Sequence, residues 1–169
     1  MFRWYGFLGI LIIVVMEINF FFKIQPFASW YFPIIWFGYI LVLDAINKKI
    51  SNRSLISNNA AKFWGIVIIS ALFWWVFEFT NLSVHNWGYI GVMKDLRLRN
   101  LFGLLSFTTV LPAFFETYEL IRNIHLFDRL KLKKKHKITK KFLHIMTVIG
   151  IICLILPILF PRFAFPLIW

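Results

Sequence analysis

Hydrophobic residues in this chain are gathered into long continuous stretches that short polar segments separate. Each stretch is about 20 residues long, which at a helical rise of 1.5 Å matches the roughly 30 Å hydrocarbon thickness of a bilayer. The strands of a membrane barrel would be about half as long and would alternate apolar with polar residues. The pattern therefore predicts an all-α, polytopic membrane helix bundle with about five transmembrane helices, at about 4–22, 27–47, 63–82, 101–121 and 142–160.

Composition and charge support a membrane location. Of the 169 residues, 60% are hydrophobic and 20% aromatic, whereas a soluble domain is about 45–50% apolar. A net charge of +12 would suggest nucleic acid as the partner of a soluble protein, but most of the 19 lysines and arginines here lie at the N-terminus and in loops 48–62 and 122–141. By the positive-inside rule we expect a multi-pass protein of the cytoplasmic (inner) membrane, with its N-terminus in the cytoplasm and no nucleic-acid partner.

Two short stretches of the chain are nearly identical. Phe32-Pro33-Ile34-Ile35-Trp36 and Phe165-Pro166-Leu167-Ile168-Trp169 share four of their five residues, and each follows an apolar span and a short turn. A duplication would make the helix bundle of residues 1–160 the first half of a tandem repeat, with 161–169 opening the second copy. The alternative is coincidence in a chain rich in Phe, Ile and Trp.

Most acidic residues lie in the predicted transmembrane spans, where a charged side chain has its highest free-energy cost. A charged side chain at the bilayer centre costs about 2.5–3.5 kcal/mol on insertion scales, so it rarely persists there without a partner or a function. Of the 7 acidic residues, five lie in predicted spans: Glu17, Asp44, Glu78, Glu116 and Glu119. This distribution indicates a polar site inside the membrane.

The end of the third span has the densest cluster of candidate residues. Asn81 follows Glu78 by three residues, so both lie on one helix face and the amide can donate to the carboxylate. The loop that follows, with Asn86, Trp87 and Tyr89, can fold back over this site. A carboxylic acid that keeps its proton in an apolar site is a usable proton donor, so we predict Glu78 as catalytic and the other four residues as substrate-binding. In the alternative, these residues make helix contacts and an interfacial aromatic belt.

The fourth span contains a second polar face. Thr109, Pro112, Glu116 and Glu119 follow one another at spacings of three or four residues, which keeps them on one side of a helix. Pro112 removes a backbone hydrogen bond and is expected to kink the helix. Glu116 is the deeper acid and is predicted to be the second catalytic residue. Glu119 is a candidate for substrate binding, or pairs with Arg122 or Asn123 near the interface.

Two further acids lie in the first two spans. Asp44 shares a helix face with Asn47 near the predicted cytoplasmic end, where it either binds substrate or is hydrated or paired with Lys48. Glu17 has no polar residue at helical spacing and needs a partner from another helix. No pair of histidines at i,i+4, no Cys-x-x-Cys and no EF-hand spacing occurs, so we expect no metal and no cofactor.

The stretch Trp74–Leu120 resembles the small integral-membrane lycopene cyclases. In that family an acidic residue near the end of a span precedes a Trp-Gly-aromatic stretch by nine residues, as Glu78 precedes Trp87-Gly88-Tyr89 here. The next span of the family has a proline followed by two acids, which are adjacent there but stand four and seven residues after Pro112 here. The resemblance implies a membrane isomerase of carotenoid biosynthesis that protonates a polyene, with aromatic faces stabilising the carbocation.

Three functions therefore remain open. The first is an enzyme that acts on an apolar, isoprenoid-like lipid, with Glu78 and Glu116 as acid–base groups. The second is a proton-coupled carrier or transporter, in which the acids form a relay. The third is a structural or assembly subunit of a membrane complex. The expected partners are membrane lipids, an apolar lipid substrate, and a second copy of the chain or another membrane protein.

Overall fold

The computed structural model describes residues 1–128 and 138–168 of the protein. These ranges contain α-helices and one short 3-10 helix but no strand, which confirms the all-α fold class. The 3-10 helix covers Phe165–Ile168. The α-helices are α1 (Trp4–Phe21), α2 (Tyr31–Ser51), α3 (Leu55–Asn58), α4 (Ala60–Val84), α5 (Leu96–Asn123), α6 (Lys140–Leu159) and α7 (Pro161–Ala164).

Helices α1, α4, α5 and α6 are long and apolar enough to cross a membrane. The protein is therefore a multi-spanning integral membrane protein. Helix α2 corresponds to the second predicted span and has 21 residues, but it is not in this group. Its last turns contain Asp44, Asn47 and Lys48, and these polar residues interrupt its apolar stretch. That α2 also crosses the membrane stays a prediction.

The helices begin and end at residues other than the ends of the predicted spans. The reason is that hydrogen bonding of the local backbone, and not the end of an apolar stretch, determines where a helix stops. Helix α5 begins before the predicted start at 101, since Asp95 accepts a hydrogen bond of 2.9 Å from the backbone N–H of Leu98. Helix α2 begins after 27, because turns with their own backbone hydrogen bonds occupy residues 25–30. It ends at Ser51, where Asn52 takes the left-handed conformation with φ 57°.

The described residues form two compact units. The first unit contains residues 1–72 and 91–128; in it α2 packs against both α1 and α5, and Ile40, Phe63, Val67 and Ala113 form a buried apolar cluster. The second unit contains residues 73–90 and 138–168. In it α7 and the 3-10 helix pack against α6.

Small residues bring α1 and α2 into close contact in the first unit. A methyl group added at Gly9 would lie 2.6 Å from the backbone carbonyl oxygen of Gly38, and one added at Gly6 would lie 2.5 Å from the Cβ atom of Ala45. Ala45 is completely buried. Membrane helices associate through van der Waals packing, so small residues that let two backbones approach stabilise the pair.

Ser70 of α4 makes hydrogen bonds to two backbone groups of α5. Its hydroxyl donates to the carbonyl oxygen of Phe107 at 2.5 Å and accepts from the N–H of Leu111 at 3.0 Å. In a regular α-helix these two backbone groups would bond to each other. These hydrogen bonds lie directly before Pro112, which was predicted to disturb this helix, and α5 remains helical on both sides of them.

The two similar sequence stretches lie in different local structures. Residues 32–36 belong to the first turns of α2, whereas Phe165–Ile168 form the 3-10 helix. Trp169 lies outside the described residues, as do residues 129–137 of the basic loop on which the predicted topology partly depends. The duplication and the orientation of the N-terminus stay predictions.

Candidate functional site

Glu78 is the centre of a polar site in the second unit. It lies near the end of α4 and is half-buried. Its Oε1 atom accepts hydrogen bonds from the hydroxyl of Tyr89 at 2.5 Å and from the indole N–H of Trp87 at 3.2 Å. The loop after α4 thus folds back over the helix end, as the sequence indicated. We call Glu78, Asn81, Trp87 and Tyr89 the Glu78 site.

Asn81 shapes the loop of this site rather than binding the carboxyl group. Its Oδ1 atom accepts from the backbone N–H groups of Asn86 at 2.9 Å and Trp87 at 3.2 Å, and its Nδ2 donates to the carbonyl oxygen of Trp87 at 2.9 Å. The prediction that Asn81 donates to Glu78 is therefore wrong. Backbone groups of a turn need partners, and an asparagine at the end of a helix can supply them.

Tyr89 is held as a hydrogen-bond donor. Partial desolvation, the hydrogen bond to Glu78 and the charge of that carboxylate raise the pKa of Tyr89 to about 12. The phenol therefore keeps its proton at neutral pH and continues to donate to Glu78. Because Tyr89 is 56% exposed, this part of the site is accessible from outside the unit.

Aromatic rings surround the helix segment that presents Glu78. The ring centroids of Trp74 and Phe77 are 5.5 Å apart, and those of Trp75 and Phe79 are 5.8 Å apart. Phe73 contacts Phe77 at 5.1 Å. Such rings offer negative π-faces to a cation.

A second polar cluster lies in the first unit and centres on Asp44 of α2, which is completely buried. Its Oδ2 atom accepts from the hydroxyls of Tyr5 at 2.5 Å and Ser54 at 2.6 Å, and its Oδ1 accepts from the backbone N–H of Ile56 at 3.0 Å. Asp44 thus ties α1 and the start of α3 to α2. In this structure Asp44 has no exposed surface through which to bind a substrate.

Glu116 of α5 belongs to the same cluster and is only 1% exposed. The amide Nδ2 of Asn47 donates to Oε2 of Glu116 at 2.9 Å and to its backbone carbonyl oxygen at 3.0 Å. Asn47 in turn accepts from Asn123 at 2.9 Å. Glu116 also interacts with Asp44 through its side chain. We call Asp44, Glu116, Asn47, Tyr5 and Ser54 the Asp44–Glu116 cluster.

The two other intramembrane acids have separate partners. Glu119 forms an ion pair with Arg122 at 3.7 Å, as one of the two predicted alternatives proposed, while Asn123 bonds to Asn47. Glu17 is exposed and accepts a hydrogen bond of 2.6 Å from Tyr31 of α2. A substrate-binding role for Glu119 stays a prediction.

Several residues of the Asp44–Glu116 cluster were not found from the sequence. Neither Tyr5 nor Ser54 is among the candidate residues that the sequence indicates. One signal was available, because a buried carboxylate needs several donors and Ser54 and Ser57 follow Asp44 within a short loop. Tyr5 gives no such signal, since its approach to Asp44 depends on how α1 packs.

Glu78 and Glu116, the two predicted catalytic acids, belong to different units. Within residues 1–128 and 138–168, no three His, Cys, Asp or Glu side chains come together to hold a metal ion. No family model, curated protein or solved structure matches this chain. Side-chain geometry is therefore the basis for assigning a function.

Proposed function

We propose that this membrane protein is an enzyme that acts on an apolar, isoprenoid-like lipid by acid catalysis of the lycopene cyclase type. The resemblance of residues 74–120 to that family supplies the reaction class, and Glu78 is the proposed acid–base group. The protein would then be an isomerase in carotenoid biosynthesis, placed in the cytoplasmic membrane with its N-terminus in the cytoplasm.

The observation that carries the proposal is the setting of the Glu78 carboxyl group. Two neutral donors, Tyr89 and Trp87, hold its Oε1 atom, and no lysine or arginine of the described residues lies within ion-pair distance. No described residue donates to Oε2, so this oxygen is available to a ligand. A fixed carboxyl group among aromatic rings, without a neutralising cation, suits the handling of a carbocation.

The proposed reaction conserves all atoms and electrons. Oε2 of Glu78 transfers a proton to a terminal double bond of the polyene, and the resulting cation is attacked by a neighbouring double bond, which closes a ring. A carbon next to the new cation then returns a proton to the Glu78 carboxylate. Substrate and product are isomers, so the cycle consumes no oxidant, reductant or cofactor.

Glu78 is better placed than Glu116 to meet the substrate. Glu78 is half-buried and the Tyr89 beside it is exposed, whereas Glu116 is enclosed within the first unit. Asn81 and Asn86 contribute by fixing the loop that supplies Trp87 and Tyr89. A catalytic role for Glu116 requires an opening of the Asp44–Glu116 cluster.

Expression in cells that accumulate lycopene tests this function. We expect the wild-type protein to produce ring-containing isomers, which chromatography and mass spectrometry distinguish from lycopene by retention at unchanged mass. Glu78→Gln should abolish them, because the amide cannot transfer the proton. Glu17→Gln is the matched control, since Glu17 also accepts a hydrogen bond from a tyrosine but lies outside the Glu78 site.

Two outcomes would contradict the enzyme proposal. One is the absence of cyclic product from wild-type protein that is inserted in the membrane at normal levels. The other is an equal yield of product from wild type and Glu78→Gln.

A proton-coupled carrier is the second candidate function, and the Asp44–Glu116 cluster favours it. Two acids buried together without a cation are typical of proton relays in transporters. Proteoliposomes with an internal pH dye would show proton flux for a carrier and none for Glu116→Gln. Identical traces from the two proteins would exclude the relay.

A further inference from the structure

We infer that Asp44 and Glu116 form a site that binds one exchangeable proton between α2 and α5. The site lies wholly in the first unit, and both side chains are almost completely buried, at 0% and 1% exposure. The inference is compatible with either function above and is tested without any substrate.

The donors around Asp44 stabilise a negative charge on this residue. Tyr5, Ser54 and the backbone N–H of Ile56 together give its two oxygens three hydrogen bonds. An ionised carboxylate is an acceptor only, and such a set of donors suits it. The described residues around Asp44 satisfy it without a cation.

Glu116 differs from Asp44 because one of its two carboxyl oxygens has no hydrogen-bond donor in the described part of the chain. Oε2 accepts from Asn47, but no described residue donates to Oε1, although this atom is buried. A buried acceptor without a donor costs free energy. Asp44 stands one helical turn before Asn47, on the face of α2 that meets Glu116, where the two carboxyl groups can share a hydrogen bond. Two carboxyl groups can form that bond only when one of them has a proton. A proton on Oε1 of Glu116 removes the unsatisfied atom and supplies the donor to Asp44.

Few other titratable groups face this pair. Tyr5 approaches from α1 and donates to Asp44, and Glu119 of α5 adds a negative charge near Glu116. Arg122 is paired with Glu119. From α4, the apolar side chains of Phe63 and Val67 pack in the adjoining core. Lys48 lies on α2 but donates to Asn52 and Asn58.

Loss of the shared proton would place two negative charges together in an apolar interior. The contact between α2 and α5 would then become repulsive beside the hydrogen bonds that Asn47 makes to Glu116. Occupancy of the site by a proton is thus coupled to the packing of α2 on α5.

Infrared spectroscopy of the purified protein at neutral pH tests the proton directly. The spectra are recorded in a Glu78→Gln background, which removes the acid of the proposed function. We expect the carbonyl band of a protonated carboxylic acid in this background, a shift of this band in D2O, and its loss when Glu116→Gln is added. The glutamine keeps the shape of the side chain and can itself donate to Asp44, so the variant should fold. Glu17→Gln, which changes an exposed acid, should keep the band.

Thermal stability against pH gives the second measurement. If the folded protein binds a proton that the unfolded chain releases, stability must fall as pH rises through the release of that proton. We expect this fall in wild type and a flatter curve in Glu116→Gln. The inference is overturned if the Glu78→Gln background has no carboxylic acid band, if adding Glu116→Gln leaves the band unchanged, or if the stability curves of wild type and Glu116→Gln are parallel.

Discussion

Tyrosine hydroxyls, rather than cations, satisfy most of the acids within the predicted spans. A tyrosine combines an apolar ring with one neutral donor, so it can sit beside a carboxyl group in the membrane without bringing a second charge there. Among the described residues there are three such pairs: Tyr5 with Asp44, Tyr31 with Glu17, and Tyr89 with Glu78. Each pair keeps a carboxyl group hydrogen-bonded while adding no positive charge.

The hydrogen bond from Tyr89 to Glu78 should be visible because the Tyr89 hydroxyl loses its proton only at high pH. The pKa of free tyrosine is about 10, and that of Tyr89 is raised to about 12. The stability that this hydrogen bond contributes is therefore fully present below about pH 10 and is lost as pH rises through about 12. Tyrosinate absorbance of wild type minus that of Tyr89→Phe should show one group that titrates near the higher value.

A difference spectrum of wild type minus Tyr89→Phe that titrates near pH 10, the value of free tyrosine, would contradict a hydrogen bond between Tyr89 and Glu78 in the folded protein.

At the scale of helices, the contact of α1 with α2 depends on residues that lack large side chains. Gly6, Gly9, Gly38 and Ala45 allow the two backbones to approach so closely that added atoms would overlap with existing ones. The approach also positions Tyr5, near the start of α1, against Asp44 of α2. Helix packing and the assembly of the Asp44–Glu116 cluster are thus linked.

Gly9→Ala should destabilise this helix pair. The new methyl group would lie 2.6 Å from the carbonyl oxygen of Gly38, and since that atom belongs to the backbone, one helix must move. Overpacking of this kind costs about 1–3 kcal/mol. The loss is measurable as a lower melting temperature in detergent, together with weaker protection of the α1 amides from hydrogen exchange.

Gly65→Ala is the matched control, because no atom lies within 4 Å of a methyl group added there. Equal melting temperatures for Gly9→Ala and wild type would contradict the close crossing of α1 and α2.

At the scale of the whole molecule, the number of crossings decides which loops share a side of the membrane. If α2 crosses, residue 49 lies in the cytoplasm and residue 94 outside. If only α1, α4, α5 and α6 cross and the N-terminus is cytoplasmic, the two positions exchange sides. We expect the first arrangement, because the loop after α2 is basic.

Cysteine labelling distinguishes the two arrangements. In a Cys153→Ser background, which removes the chain's own thiol, Lys94→Cys should react with a membrane-impermeant maleimide in intact cells. Lys49→Cys should react only after the membrane is opened. The reverse pattern would contradict the arrangement in which the N-terminus is cytoplasmic and α2 crosses.

Apolar run lengths were enough to predict an all-α membrane protein, and residue spacing was enough to predict that Trp87 and Tyr89 return to Glu78. Spacing along one helix could not show that Asn81 would bond to the loop, since the backbone groups of residues 86 and 87 compete for its amide. Nor could it pair Tyr5 with Asp44, because that contact depends on the packing of two helices. Contacts within a loop can be predicted from residues that are close in sequence, whereas contacts between helices depend on the shapes of the surfaces that pack together.

The hydroxyl of Ser70 has a consequence for the motion of α5. Because it bridges Phe107 and Leu111, a shift of α4 that withdraws it would let these two backbone groups bond to each other. The segment would then return to regular helical winding without leaving a polar group exposed to lipid. We expect that withdrawal of the hydroxyl would change the winding of this turn of α5, and that Glu116, little more than one turn beyond Leu111, would turn with the helix.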